Sequence, residues 1–205
     1  AHLALSGCTT ASDHHYVHPS GRGDIVAAEV EAAREVGVRL DLARGSMDRG
    51  RDQGGLPPET IVETLEQALS GTGAAIDTHH DASFGSMTRV AVAPCSPFSV
   101  SRELMVESAA LARDKGVRLH THLAETLDEE EQCLDEFGCT PVEYAEELGW
   151  LGEDVWFAHA VHLSDAAIGR LAATGTGGAH CPTSNARLGA GICRVPELLE
   201  AGVPV

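Results

Sequence analysis

The sequence has few basic side chains for its size. Lys and Arg total 14 against 31 Asp and Glu, which gives a formal net charge of -17 at pH 7. Because nucleic acid is a polyanion, the average field of such a protein repels it. The composition therefore argues against nucleic acid as a partner.

Long hydrophobic runs are also missing. No apolar stretch approaches the roughly 20 residues that a membrane-spanning helix needs, and the first residues lack the charged start and cleavage region of a signal peptide. We therefore expect no membrane association and a cytoplasmic location.

The sequence contains no C-x-x-C pair. With 205 residues, 43% of them hydrophobic, the chain can bury a core without disulfide bonds. We expect reduced thiols at all six cysteines, which are Cys8, Cys95, Cys133, Cys139, Cys181 and Cys193.

Short apolar segments alternate with helical patterns along the whole chain, which is typical of parallel β/α units. The predicted strands are residues 3–10, 38–43, 89–93, 117–122, 155–158 and 176–180, with another beginning at Val203. The predicted helices are residues 24–36, 58–69, 102–115 and 165–173, and Pro141 fits the first turn of a further one. The acidic run 128–131 is interpreted as a solvated helix start.

A long segment rich in Gly and Pro, residues 44–58, follows the second predicted strand and is expected to be a loop. In parallel β/α proteins, loops after the carboxyl ends of strands hold substrates. Other polar residues also fall near predicted strand ends. In a (β/α)8 barrel they would converge on one face; they include His14, His15, Arg44, Cys95, His122, Glu125, His159, His162, His180 and Asn185.

The segment 117–126 combines a predicted buried strand with groups that bind metals and move protons. His120 and His122 are two residues apart, so a regular strand directs both to the same face, although only one need be a ligand. A catalytic Zn²⁺ or Fe²⁺ needs His or carboxylate ligands and an open position, and a carboxylate such as Glu125 can transfer protons beside it. The alternatives are a hydrogen-bonded structural histidine and a carboxylate favoured by a helix dipole.

Three sequence blocks resemble the amidohydrolase superfamily, in particular its ATZ/TRZ and nucleobase-deaminase branch. They are LHTHLAET (119–126), AHAVHL (158–163) and HCPTSNARLGAGI (180–192). Further blocks are similar to the 8-oxoguanine deaminase subfamily and its hydroxyatrazine-hydrolase-like relatives. These blocks are SGCTTASDHHY (6–16), RGSMDRG (44–50), GGLPP (54–58) and APCSPFSV (93–100).

The resemblance implies an α/β fold of the (β/α)8 TIM-barrel type, with residues 1–205 forming a partial barrel domain that covers about strands two to seven. The family's His-x-His pair on the first strand would then precede Ala1, and its metal-binding Asp on the last strand would follow Val205. The chain is accordingly expected to be a fragment whose parent carries three further ligands.

The resemblance also implies roles for individual residues. His122 would be a metal ligand, Glu125 the proton shuttle, and His159 either a second ligand or a group that polarises the attacking water. Substrate contacts are expected from His14, Arg44, Cys95 and Asn185. Two of these have alternatives, since Cys95 can be a small buried apolar residue and Asn185 can order the loop after the seventh strand.

The function implied is hydrolytic deamination of a purine-type base, 8-oxoguanine or similar, with one divalent metal, Zn²⁺ or alternatively Fe²⁺. Water would attack a ring carbon that bears an amino group, and ammonia would be released. A triazine or pterin amidohydrolase is the alternative within the enzyme class. A noncatalytic purine-binding or metal-binding barrel and an unrelated α/β protein are the alternatives outside it. The expected partners are a small nucleobase-like substrate and further copies of the chain.

Overall fold

The structure is a computed structural model that describes residues 1–19 and 23–205. These residues form two compact units. The first comprises residues 1–95 and 99–118, and the second comprises residues 96–98 and 119–205. No helix in the described ranges is long and apolar enough to cross a membrane.

The first unit contains parallel strands connected by helices. Strand β1 pairs with β2, and β2 pairs with β3, all in parallel. Its elements are α1 His2–Leu5, β1 Thr10–His15, α2 Ile25–Val36, β2 Arg39–Ser46, α3 Leu65–His79, β3 Thr88–Pro94 and α4 Arg102–Lys115, with short 3-10 helices at Arg51–Gln53 and Glu59–Ile61.

The second unit repeats the same arrangement. Strand β4 pairs with β5, and β5 pairs with β6, again in parallel. Its elements are β4 Leu119–Leu123, α5 Leu127–Phe137, α6 Pro141–Glu147, β5 Val155–His159, α7 Asp165–Thr174, β6 Gly177–Ala179, α8 Pro182–Leu188 and α9 Val195–Ala201. The parallel pairing in both units is the α/β arrangement that the sequence predicts.

Local hydrogen bonds explain where several helices begin and end. The side chains of Asp24, Ser101 and Ser164 accept hydrogen bonds from the first turns of α2, α4 and α7, respectively. Such a cap stabilises a helix by about 1 kcal/mol. Helices α2 and α4 end at Gly37 and Gly116, both in the left-handed conformation that glycine adopts without a steric cost. The predicted helices 24–36, 102–115 and 165–173 are confirmed.

Strand β3 is covered on both faces, as is common in parallel sheets, whereas no residue of β1 is fully buried. Residues 90–93 of β3 are all buried although they alternate between the two faces. In the second unit the large side chains Tyr144, Trp150 and Phe157 are fully buried. Burying a large aromatic side chain stabilises a fold by about 1.5–3 kcal/mol, so these residues account for much of the packing in this unit.

The predicted strand 3–10 is wrong. Residues His2–Leu5 form a short helix, Gly7 has a positive φ of 92°, and β1 begins only at Thr10, where pairing with Arg39 starts. A strand is stable where its backbone finds a partner, and the exposed Leu3 and Leu5 show that this apolar run covers no core in the first unit. His14 and His15 consequently lie within β1 and not after it.

Two other boundaries also differ from the prediction. The helix predicted at 58–69 is instead α3, which begins after Thr64. Thr64 accepts a hydrogen bond from Gln67 N, while Gln67 Oε1 accepts one from Thr64 N, and this capping box defines the true start. No strand forms at Val203, although Gly178 N donates a hydrogen bond to Pro204 O.

Candidate functional site

The carboxyl ends of β4 and β5 bring together three of the predicted site residues. The register pairs His122 with Ala158 and Leu123 with His159. The rings of His122 and His159 lie with their centroids 5.2 Å apart. The parallel register therefore makes neighbours of two histidines that are far apart in sequence.

His120 has a packing role. Its ring stacks on Trp156 with a centroid separation of 4.6 Å, and its Nδ1 donates a hydrogen bond to Trp156 O. The side chain is almost fully buried. This packing supports the expectation that only one histidine of the pair needs to act as a ligand.

Glu125 follows β4 after a strained residue. Ala124 has a positive φ of 53°, which is uncommon for a residue other than glycine. The Glu129 side chain accepts hydrogen bonds from Ala124 N at 2.7 Å and from Glu125 N at 2.9 Å. The turn that presents Glu125 is thus held by a carboxylate from the first turn of α5.

The Glu125 side chain reaches His159. Its Oε1 lies 3.5 Å from His159 Nδ1. This oxygen is buried and accepts no hydrogen bond from any residue in the described ranges. Leaving a buried polar group without a hydrogen bond costs about 1–3 kcal/mol, and such a group in a native structure commonly marks a ligand, ion or catalytic site.

The backbone at His159 is also strained. His159 and Ala160 have φ values of 72° and 46°, a conformation that costs about 1–3 kcal/mol for each residue other than glycine. Hydrogen bonds to the neighbouring turn offset this cost, because Val161 N and His162 N both donate to Ala124 O. The turns after β4 and β5 therefore stabilise each other, and such strain concentrates at functional sites.

Asn185, on α8, orients the imidazole of His159. His159 Nδ1 donates a hydrogen bond of 2.7 Å to Asn185 Oδ1, and both side chains are buried. With the proton on Nδ1, a neutral ring presents an unprotonated Nε2 that can bind a metal or accept a proton. The structure thus gives Asn185 a contact with His159, while its contact with substrate stays a prediction.

These donors fit a divalent metal in part. Imidazole nitrogens are common zinc ligands, and the rings of His122 and His159 lie next to each other. The Oε1 of Glu125, which accepts no hydrogen bond within the described residues, lies beside His159 as a group that can take up a proton. However, within the described residues no group of three or more His, Cys, Asp or Glu side chains is arranged to hold a metal ion. The described residues therefore bring two candidate ligands together, His122 and His159.

Three residues that are predicted to contact substrate lie at or near the carboxyl ends of strands in the first unit, namely His14, Arg44 and Cys95. His14 Nε2 donates a hydrogen bond of 2.7 Å to Ala93 O. Cys95 follows β3, is buried, and donates its backbone N–H to Ser46 O. His14 thus links β1 to β3 across β2, and Cys95 links the end of β3 to the neighbouring β2. The contacts of both residues with substrate stay predictions.

Arg44 forms a buried ion pair. Its Nη1 and Nη2 donate hydrogen bonds of 2.9 and 2.7 Å to the two carboxylate oxygens of Glu63, and Nη1 also donates to Gly45 O. The side chains of Arg44 and Glu63 are only 5% and 12% exposed. The ion pair accounts for the burial of Arg44, and a contact with substrate stays a prediction.

Two further contacts anchor the loop after α8. His162 Nε2 donates a hydrogen bond of 2.7 Å to Ala190 O, and Cys193 Sγ donates to Ala160 O. A cavity of about 340 Å³ lies beside this loop, and its lining includes His180, Asn185 and Ile192. The loop is therefore attached to the strained backbone at the end of β5.

The sequence model of the amidohydrolase family matches residues 2–205. The chain belongs to the amidohydrolase family. Among curated proteins, this amidohydrolase is 48% identical to 8-oxoguanine deaminase from Pseudomonas aeruginosa, over 100% of this chain and 46% of the relative. It is 43% identical to isoxanthopterin deaminase from an unknown prokaryotic organism, over 99% of this chain and 43% of the relative.

Solved structures agree with this assignment. Atrazine chlorohydrolase from Arthrobacter aurescens TC1, complexed with zinc, matches with a TM-score of 0.93 and 33% identity, over 98% of this chain and 45% of the solved chain. The amidohydrolase chain thus spans about half the length of the curated relatives and solved structures it matches. The resemblance and the α/β fold class inferred from the sequence are confirmed.

Glu129 is the residue in this amidohydrolase site that the sequence interpretation missed. The acidic run 128–131 does open a helix, as expected, but Glu129 is 1% exposed and not solvated. A signal was present in the sequence, because Thr126 and Glu129 have the T-x-x-E spacing of a capping box. Glu129 N does donate to Thr126 Oγ1, whereas the carboxylate reaches past Thr126 to the backbone of the preceding turn.

Proposed function

We propose that the protein containing this chain catalyses the hydrolytic deamination of a purine-type base, with 8-oxoguanine as the first candidate. The observation that carries the proposal is the buried, unpartnered Oε1 of Glu125, 3.5 Å from the oriented imidazole of His159. The 8-oxoguanine deaminase and isoxanthopterin deaminase relatives support the substrate class.

Glu125 is the proton-transfer group in this proposal. A carboxylate at its position takes a proton from the attacking water, delivers it to a ring nitrogen of the base, and then assists the departure of ammonia. His159, whose Nδ1 donates a hydrogen bond to Asn185, would use its Nε2 to bind a metal or to interact with the reacting water. The substrate C–NH2 bond breaks, and a C–O bond to water replaces it.

A single divalent metal completes the proposal. His122 and His159 would hold it together with ligands from outside this chain, and it would supply Lewis-acid activation of water. Zinc is preferred over Fe²⁺ because the Arthrobacter structure is a zinc complex. We further propose a homo-oligomer in the cytoplasm that acts on a small nucleobase, and the net charge of -17 disfavours nucleic acid as a partner.

Triazine or pterin hydrolysis is the second candidate. The atrazine chlorohydrolase and isoxanthopterin deaminase relatives support it, because atrazine is a triazine and isoxanthopterin is a pterin. A noncatalytic binding barrel is disfavoured by Glu125 beside His159, since binding alone does not require a proton-transfer carboxylate.

Ammonia release tests the proposed function. The full protein that contains this chain is loaded with zinc and assayed with 8-oxoguanine, guanine, isoguanine, isoxanthopterin and hydroxytriazines. We expect release from a purine-type base, and Glu125→Gln should lower kcat by about 10²–10⁴-fold because the proton-transfer group is lost. Zinc content should stay unchanged.

Glu131→Gln serves as the matched control, since Glu131 is exposed on α5. It should retain the activity of the unaltered protein. Release from isoxanthopterin or the hydroxytriazines, but from no purine-type base, would select the second candidate. If the zinc-loaded protein releases ammonia from none of the compounds, the catalytic proposal is wrong.

A further inference from the structure

Glu129 is a carboxylate buried beneath the turn that carries Glu125. It occupies the third position of α5 and is 1% exposed. A buried carboxylate is costly unless hydrogen bonds satisfy it. Here each oxygen has a backbone donor, because Oε1 accepts from Ala124 N at 2.7 Å and Oε2 accepts from Glu125 N at 2.9 Å.

Hydrogen bonds hold one peptide group at both its carbonyl and its N–H. The peptide between Ala124 and Glu125 consists of the Ala124 carbonyl and the Glu125 N–H. The carbonyl accepts hydrogen bonds from Val161 N and His162 N, at 2.9 and 3.0 Å, while the N–H donates to Glu129. The orientation of this peptide sets the direction in which the Glu125 side chain leaves the backbone.

The left-handed conformation of Ala124 makes this support necessary. Ala124 has a φ of 53°, which is an unfavourable conformation for alanine. Without the hydrogen bonds, the turn would relax to an extended or right-handed backbone. Relaxation would rotate the following peptide and move the Glu125 carboxylate away from His159, which it now approaches to 3.5 Å.

We propose that Glu129 is a positioning residue that aims the Glu125 carboxylate at the reacting atoms without touching substrate itself. This inference rests on the proposed function, in which Glu125 transfers protons. Accurate placement matters because a misplacement of about 1 Å can reduce a rate by about 10²-fold.

Glu129→Gln tests the inference in the gene-encoded, zinc-loaded protein. The amide keeps one acceptor but turns its NH2 group towards the other backbone N–H, so one of the two bonds is lost. We expect kcat to fall by about 10²-fold with KM and zinc content close to those of the unaltered protein. Glu129→Asp, which keeps the charge but shortens the reach, should show the same loss of kcat.

Glu143→Gln is the matched control. Glu143 Oε2 accepts a hydrogen bond from Thr140 N in the capping box of α6, so this variant also loses an acceptor at a helix start in the second unit. It should lower the melting temperature without lowering kcat. A general effect of weakened capping would instead lower kcat equally in both variants, and that result would overturn the inference.

Two outcomes separate this inference from the proposed function. If the unaltered protein releases no ammonia from any base, the proposed function fails whatever Glu129 does. If the unaltered protein is active and Glu129→Gln retains kcat within about twofold, the positioning role is wrong. Should the Glu129 variants not fold, hydrogen exchange in the unaltered protein decides, because fast exchange of the Ala124 and Glu125 amides would contradict the two hydrogen bonds.

Discussion

At the scale of single residues, His159 shows how a buried contact selects one chemical form of a side chain. Hydrogen bonding to Asn185 places the ring proton on Nδ1, and the positive φ of His159 sets the direction of the ring. A second acceptor, Glu125, lies close to the same nitrogen. The reactive properties of His159 therefore depend on residues that need not touch substrate.

Asn185→Leu should weaken metal binding and activity. Without the Oδ1 acceptor, the His159 ring loses its fixed orientation and tautomer, and loss of such a partner typically costs about 10–100-fold in metal affinity or activity. Zinc affinity is measured by competition with a chelator, and kcat by ammonia release. Thr183→Ala, an exposed change on the same helix, should leave both quantities unchanged; equal zinc affinity in the Asn185 and Thr183 variants would contradict the role of Asn185.

Glu129 makes the stability of the protein depend on pH. Burial raises the pKa of its carboxyl to about 7 from a usual 4.5, an effect opposed by the backbone hydrogen bonds and reinforced by the charge of Glu125. Between these two values the folded state binds a proton that the unfolded state has released. Stability from this group should therefore be lost as the pH rises from about 5 to about 7.

Urea unfolding at about pH 5 and about pH 8 checks this prediction. The side chain at position 129 cannot titrate in Glu129→Gln. The unfolding free energy of this variant should therefore fall less, or rise more, between about pH 5 and about pH 8 than that of the unaltered protein. An identical pH dependence in the two proteins would show that Glu129 is ionised throughout this range.

At the scale of helices and strands, buried polar contacts connect elements whose hydrophobic patterns say nothing about each other. The ion pair of Arg44 and Glu63 joins β2 to the segment just before α3. The Ala124 carbonyl similarly joins the turn after β4 to the residues after β5. The positions of the loops thus depend on a few paired polar groups at the ends of strands.

Glu63→Gln should destabilise the protein by about 3–5 kcal/mol, because it leaves the buried Arg44 guanidinium without its counter-charge. Urea unfolding measures the change. The exposed pair of Arg34 and Glu31, with side chains 70% and 56% exposed, provides the control. Glu31→Gln should change stability by less than about 1 kcal/mol, and a similarly small effect of Glu63→Gln would mean that the Arg44 pair remains hydrated.

At the scale of the whole molecule, the alternation of strands and helices was predictable because it depends on local patterns. Caps such as Ser101 and stops such as Gly116 define α4 within a few residues of sequence. The strand predicted at 3–10 failed for the opposite reason, since a strand needs a partner from elsewhere in the chain.

Part of the candidate site was also predictable from sequence. His122, Glu125 and His159 stand out because metal-capable and proton-transferring residues follow predicted strands, and because their blocks resemble a known family. The match to residues 2–205 confirms that family. The partner of His159 was not predictable, because Asn185 lies 26 residues further along the chain.

The sequence by itself determined the alternation of strands with the longer helices and the chemical types at the strand ends, because short-range periodicity and helix caps are local. Only the tertiary structure decided which polar groups pair. It paired Arg44 with Glu63 and His159 with Asn185. The physical reason is that burial removes water as a partner, so most buried polar groups pair with other protein groups. The partners of Arg44 and His159 lie 19 and 26 residues further along the chain, which no local pattern encodes.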